Sequence, residues 1–438
     1  MWVGAMLLNR FAESLVKSPP SIGSNWIEKL EDWLRIIAGR SFEAVFRLQH
    51  EMLEAVVNVE KEIQEGELRR KELGSAIPVL KARGDVAQIR SHQVIITALN
   101  RRGVELRYVR DCILLVGDTI ASLLLEVDAI KHMALYQSPG FISGKEGLDS
   151  EIEAANTFYR QGWMVLFNDL THSVRIGDLT LKKGEITKTF EVKSSAAGYL
   201  SKDALRQIMT PIMIHDYIKN DQTRVPVTIN EDTDIAPAGT MAAGARRLES
   251  NIKENWQFDV PGNLYRLLKR HGFALLKRGA VYYVAARKER KPELLERLRE
   301  LTADGDWIGG NLQQRVVDYA DIPPFSRWFR PNSTVEIMVG DVSVISVINL
   351  HQLAILFDAK DIEISWKRQN DDLLPIRFTP RFELNPEVEV QQINLCNWQR
   401  LRMLYAFLSD QTFVDICAFM LSVAARKPIG DKPVIPTG

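Results

Sequence analysis

For the first 137 residues the apolar side chains return every three or four positions, and that rhythm alone excludes a sheet from this part of the chain. From Phe42 to about Leu73 the set Phe42, Val45, Leu48, Met52, Val56, Val59 and Ile63 keeps the interval with charges between, which predicts one long amphipathic helix. Asn25, followed three positions later by Glu28, fits a capping box ahead of Ile27, Leu30, Leu34 and Ile37. Two more helical stretches follow at 85–109 and 110–136. Residues 1–137 are therefore expected to form an all-α bundle or antiparallel coiled-coil arm. Helices with such wide apolar stripes pack on each other or on a copy of themselves, so a homo-oligomer joined through the N-terminal helices is expected.

The most apolar run in that region, CILLVGDTIASLLLEVDAI, carries Asp118, Glu126 and Asp128, which suits a helix buried in protein and not a bilayer. The opening MWVGAMLLNRF has no basic residue before its apolar stretch and no small-residue cleavage site, so a cytoplasmic location without membrane contact is expected. Cys112, Cys396 and Cys417 are too scattered for a disulfide framework or a zinc site and read as buried thiols.

The rhythm breaks at SPGFISGKEG, where Gly, Ser and Pro concentrate, and 138–148 is read as a linker. At 438 residues the chain exceeds one hydrophobic core. A second domain is placed at 149–260 and a third, α+β, at 261–438. In the second, DSEIEAANTFYRQG reads as a helix, WMVLF as a buried strand, SVRIGDLTL as a second strand, KKGE as a turn, ITKTFEV as a third strand, and Ser201 to Tyr217 as another helix. A long loop is expected over 222–261. In the third domain, NLYRLLKRHG is a helix ended by Gly272, FALLKRGAVYYVA a hairpin turning near Gly279, PELLERLRELT a helix, and TVEIMV and DIEIS strand-like.

Asp178 closes an apolar strand, and Glu191 and Lys193 follow on the next. Residues i and i+2 of a strand share a face, so Glu191 and Lys193 project together, and a hairpin through KKGE brings Asp178 near Glu191. Two carboxylates and an ammonium then meet, a set of hard oxygen ligands suited to Mg2+ or Mn2+. The same residues would equally serve as a solvated strand face with an ordinary ion pair.

EIEAANTFYRQGWMVLF, RIGDLTL, TFEVKSS and SKDALRQI together resemble the PD-(D/E)xK nuclease superfamily, over about seventy of the 438 residues. The resemblance implies an α/β restriction-endonuclease-like core, a mixed sheet in the order α-β-β-β-α-β. It implies Asp178, Glu191 and Lys193 as the catalytic centre, with Glu151, Asp178 and Glu191 on the metal. Glu153 rivals Glu151 as the first-helix acid, and Gln207 resembles a glutamine of some members. Gly177 stands where the family often has proline. Asp169 reads as a turn residue in preference to a ligand, and His172 as structural.

With Lys plus Arg and Asp plus Glu both at 56, any attraction to nucleic acid must be local. Arg266, Lys269, Arg270, Lys277 and Arg278 fall in a stretch to Lys291 that holds nine basic residues and one acid, with Tyr265, Tyr282 and Tyr283 interleaved, a candidate phosphate-contacting surface. No GxxxxGK[ST] loop is present, so any ATP-driven step needs a separate ATPase or sensor partner. The expected function is a divalent-metal-dependent nuclease, an endonuclease of anti-phage defence or restriction acting on DNA. The competing readings are an RNA-directed nuclease and a catalytically silent nucleic-acid-binding scaffold.

Overall fold

A computed structural model describes residues 16, 18–125, 140–174, 177–184, 186–192, 259–303, 306–314, 326, 329–366, 368–369, 372–373, 377–381, 393–394 and 414. Helix α1 (Ser24–Ala38) buries Leu30, Trp33, Leu34 and Ile37, one stripe of a 3.6-residue helix. The capping box expected of Asn25 and Glu28 is not formed, because the helix begins at Ser24 after Gly23 and Asn25 already lies inside it. Helix α2 (Phe42–Arg83) is 42 residues long, about 63 Å at the α-helical rise. Val45, Leu48, Met52, Val56, Val59 and Ile63 are buried as expected, whereas Phe42 is 60% exposed. The helix runs past the expected end near Leu73, through Pro78, and stops at Gly84 with φ +70°. Leu73 and Leu80 are buried in this extension, and their packing offsets the hydrogen bond that Pro78 cannot donate.

Helix α3 (Val86–Leu124) opens with the Asp85 carboxylate accepting from the Gln88 N–H at 3.0 Å. It joins the two stretches expected at 85–109 and 110–136 into one helix as far as Leu124, and 126–139 lie outside the described residues. α2 and α3 form an antiparallel hairpin, tied by Glu62–Arg102 at 2.7 Å, Glu60–Arg110 at 2.6 Å and Glu67–Arg107. From Cys112 to Ile120 every residue of α3 is buried, which is why the sequence there loses its polar face. Among the described residues no helix is long and apolar enough to cross a membrane.

Helix α4 (Leu148–Arg160) leads into strands β1 (Met164–Phe167), β2 (Leu179–Lys183) and β3 (Ile186–Phe190). They form an antiparallel sheet in the order β1-β2-β3, with Phe167 opposite Leu179 and Leu179 opposite Phe190. Gly184, at φ +59°, lies in the expected KKGE turn. Of the strand expected over SVRIGDLTL, residues 179–181 are extended as part of β2, and 175–176 lie outside the described residues. The helix expected after Ser201, Gln207 and the loop expected over 222–261 fall outside the described residues, save for residues 259–261, which begin a helix.

The hairpin and this sheet belong to one compact unit, residues 18–218 with 313–342, so the unit does not break at 138–148. The cause is polar as well as apolar. The Gln49 carboxamide of α2 donates to Val165 O at 2.9 Å and accepts from Phe167 N–H at 3.0 Å, pairing with the edge of β1 left free by β2. The Phe46 ring stacks on Tyr159 at 4.1 Å. Glu60 accepts from the Ser143 N–H at 2.8 Å, which anchors the segment read as a linker. Gly117 of α3 comes so close to the turn after β1 that an added Cβ would stand 1.6 Å from Leu170 O.

TVEIMV, read as strand-like, lies within a helix, Pro331–Val339, of the same unit. Pro331 occupies its first turn, Gly340 ends it in the left-handed conformation, and Thr334, Val335, Ile337 and Met338 are buried while Asn332 is exposed and Glu336 half-buried, a stripe too narrow to stand out from the apolar run. The Tyr108 hydroxyl of α3 donates to Met338 O at 2.5 Å.

The second unit comprises 1–17, 219–312 and 343–438. Helix α5 (Asp259–His271) ends at Gly272, and the expected hairpin follows as β4 (Phe273–Arg278) and β5 (Val281–Arg287). After α6 (Lys291–Thr302) come β6 (Trp307–Asn311) and β7 (Val342–Asn349), giving a four-stranded sheet in the order β4-β5-β7-β6. Its core joins Val284, Ala286, Ile345 and Val347 to Trp307, Leu294 and Leu298. DIEIS is extended, as β8 (Ile362–Ser365), with alternating burial. The described chain is thus an N-terminal helical region followed by sheets packed with helices, a general α/β architecture.

Candidate metal centre

Gly177 takes φ +65°, and a Cβ there would meet Phe190 O at 2.7 Å, so neither proline nor any larger residue fits where the family pattern has proline. The tight backbone delivers Asp178 to the start of β2. The Asp178 N–H donates to Phe190 O at 2.7 Å, and its Oδ2 accepts from the Val192 N–H at 2.7 Å, so the hairpin partner fixes the carboxylate. The pairing of β2 with β3 ends at Leu179 and Phe190, and Asp178 precedes the first of these while Glu191 follows the second. Glu191 is half-buried and stands outside the carboxylate group described next. Lys193 lies outside the described residues.

Two further acids meet Asp178. Glu151 projects from the first turn of α4 and is 3% exposed, while Glu153 faces solvent, which settles which of the two first-helix acids turns inward. Asp169 sits in the 3-10 turn Asn168–Leu170 directly after β1. Glu151, Asp169 and Asp178 each offer an oxygen, and the three oxygens lie within 4.8 Å of one another. Asp169 is both the turn residue the sequence suggests and a member of the cluster.

At the centre of these carboxylates is Lys145, which sequence reasoning did not single out. Its Nζ is 2.8 Å from Glu151 Oε1, 2.7 Å from Asp169 Oδ2 and 2.8 Å from Asp178 Oδ1. The lysine rides a short loop in which Gly144 and Gly147 adopt positive φ, and its N–H donates to Ile142 O at 3.0 Å. Burial opposes its charge, but the negative charge of Asp169 and the hydrogen bonds to Asp169, Asp178 and Glu151 outweigh that and hold the ammonium above the ordinary lysine range. A lysine between two glycines in a boundary segment carries no periodicity, so only the fold reveals it.

Burial pushes the Glu151 carboxyl up to about 7, against the hydrogen bond from Lys145; repulsion from Asp178 adds to the rise. A carboxyl raised in the folded state stabilises the fold most below its ordinary value, and that contribution is lost as pH climbs to about 7. Urea unfolding is therefore expected to show stability falling by on the order of 3 kcal/mol between about pH 4.5 and 7 on Glu151's account. The Glu151→Gln variant should flatten that slope, and an unchanged slope would place the titration elsewhere.

His172, set aside as structural, is buried beside α3. Its Nδ1 lies 3.1 Å from Asp118 Oδ2, and Asp118 Oδ1 accepts from the N–H groups of His172 and Ser173 at 2.9 and 2.8 Å and from the Ser173 hydroxyl at 2.5 Å. Asp118 thereby holds the segment that follows Asp169. Cys112 is a free buried thiol, pushed up by burial.

Arg266, Lys269, Arg270, Lys277 and Arg278 are all exposed, on α5 and β4 of the second unit. Tyr283 is fully buried there, and Lys277 lies over the Tyr282 ring at 5.1 Å. The structure brings these five cations onto two adjacent elements, but two of the three interleaved tyrosines face into the sheet's packing: Tyr283 entirely and Tyr282 by half, edge-on to Trp307.

No family model matches the chain, and neither a curated protein nor a solved structure matches it.

Proposed function

We propose that the protein is a divalent-metal-dependent nuclease that hydrolyses phosphodiester bonds in DNA, built on a restriction-endonuclease-like core. The observation that carries the reading is the convergence of Glu151, Asp169 and Asp178 from a helix, a turn and a strand onto oxygens within 4.8 Å. That donor set is all carboxylate, which fits Mg2+ or Mn2+, and such an ion would polarise the phosphate and stabilise charge developing on it. Asp178 is oriented for the role by the Val192 N–H, and Glu151 must lose a proton below about pH 7 to join it. Lys145 and a cation cannot share the same three oxygens, so its ammonium has to swing out; an open cavity of about 420 Å³ lined by Ser143, Gly144, Lys145 and Gly147 adjoins it. Once displaced, Lys145 remains within reach of an anionic phosphate, and Lys193, two residues beyond Glu191, supplies a second ammonium on this reading. Restriction or anti-phage defence would be the setting, with oligomerisation through the helical hairpin.

The experiment is cleavage of plasmid, linear duplex and RNA by purified protein in Mg2+ or Mn2+. Asp178→Ala is expected to lower cleavage at least about a hundredfold with the fold retained by circular dichroism, and Lys193→Ala to lower it comparably. Equal cleavage by wild type and both variants would remove the assignment. One observation favours a second reading: Lys145 already neutralises the cluster from within, as a silent scaffold would need. On that reading no metal supports cleavage of any substrate.

A further inference from the structure

The far half of the α2–α3 hairpin is strongly basic in a chain of zero net charge. From Arg69 to Asn100 it carries Arg69, Arg70, Lys71, Lys81, Arg83 and Arg90 against two acids, Glu72 and Asp85. All six cations are exposed. Both acids are already committed: Glu72 accepts from Arg69 at 3.0 Å, and Asp85 caps α3 through the Gln88 N–H at 3.0 Å. Among the described residues no carboxylate forms an ion pair with the other five cations. The near half of the same hairpin is the opposite case, with Glu60, Glu62 and Glu67 each satisfied by an arginine of α3. The field of the tip is therefore uncompensated and faces water.

We propose that this tip is a docking surface for the phosphate backbone of a nucleic-acid duplex; the inference rests on the nuclease reading above for the identity of its polyanion. Arg70 and Arg83 are thirteen residues apart on one helix, about 20 Å at the α-helical rise, which matches about six base pairs of duplex. The segment holds no Phe, Tyr or Trp, so it has no platform on which unpaired bases could stack and no aromatic anchor for a bilayer. The large apolar side chains it exposes, Val79, Val86, Val94 and Ile95, are all aliphatic. Like charge opposes tip-to-tip pairing of two copies.

The test measures binding of the full-length Asp178→Ala protein to a fluorescent duplex of about twenty base pairs across a series of NaCl concentrations, with no divalent metal. Replacing Arg70, Lys71, Lys81, Arg83 and Arg90 together by glutamine is expected to weaken binding at least about tenfold at low salt and to flatten the log–log salt slope by about 4. Changing Arg70, Arg83 and Arg90 to lysine should leave both quantities intact, which separates lost charge from lost fold. Unchanged affinity and slope in the glutamine variant would overturn the proposal. So would binding by the tip to vesicles of anionic phospholipid but not to duplex. Absence of cleavage by the wild type, with duplex binding still dependent on the tip, would sink the nuclease reading alone.

Discussion

Replacing Lys145 by methionine is expected to destabilise the metal-free protein by about 3–5 kcal/mol near pH 8, the usual consequence of removing one partner from a buried ionic cluster. Three carboxylates that share one ammonium would be left facing one another, with side-chain exposures of only 4% for Glu151, 10% for Asp178 and 18% for Asp169. Methionine keeps the length of the stem and removes only the charge and its hydrogen bonds. Because the Glu151 carboxyl titrates at about 7, the loss should shrink toward pH 5, where that group is already protonated and the repulsion is relieved. Urea unfolding followed by tryptophan fluorescence at both pH values measures it. A midpoint equal to wild type at pH 8 would mean that the carboxylates are individually well solvated and the cluster has no energetic unity.

The Asp118→Ala variant should lose a similar amount, about 3–5 kcal/mol, through a different mechanism. Asp118 accepts from two backbone N–H groups and a hydroxyl while lying beside His172 Nδ1, all in the interior. Alanine leaves those donors without an acceptor and removes the main partner of a buried imidazole. Burial disfavours the charged form of His172, yet the carboxylates of Asp111, 3.8 Å from Nε2, and Asp118, 3.1 Å from Nδ1, prevail and hold its pKa above the ordinary histidine value. A raised histidine stabilises the fold below its ordinary value of 6.5, and the contribution is lost as pH rises through the folded-state value. Wild type should therefore show a stability loss on the alkaline side of 6.5 that Asp118→Ala lacks. Since the segment held by Asp118 follows Asp169 directly, the variant should also weaken divalent-metal binding. Wild-type stability with an unaltered pH profile would contradict this account of the Asp118 network.

What could be read from the sequence follows the range of the interactions involved. The buried stripe of α2 and the burial of CILLVG in α3 were legible because periodicity and its absence are properties of consecutive residues. The hairpin between β2 and β3 was legible through alternation and a glycine turn, and its pairing runs from Lys183 and Ile186 to Leu179 and Phe190. The run of α2 past Leu73 was not legible, because burial of Leu73 and Leu80 outweighs the local breaker Pro78, and TVEIMV misled because six residues with one half-buried acid are too few to show the helical period. The domain break at 138–148 was invisible as an anchor point, since Glu60 reaches Ser143 across 83 positions of chain. Lys145 was beyond reach for the same reason, and Asp169 was weighed as a ligand but ranked below a turn role: neither has a spacing to Asp178 that any regular element imposes, and only the folded loop and the 3-10 turn bring them together. Lys193, the lysine of the proposed motif, falls outside the described residues.

The central claim is that Glu151, Asp169 and Asp178 form a cation site whose resident charge is the Lys145 ammonium until a divalent ion replaces it. Isothermal calorimetry with Mn2+ on wild type, Lys145→Met and Asp178→Ala tests this directly. The account predicts one site in wild type, tighter binding once the competing ammonium is gone, affinity that rises with pH through about 7 as Glu151 gives up its proton, and no binding in Asp178→Ala. Mn2+ binding that is equally weak in all three proteins, or equally strong in Asp178→Ala and wild type, would contradict it.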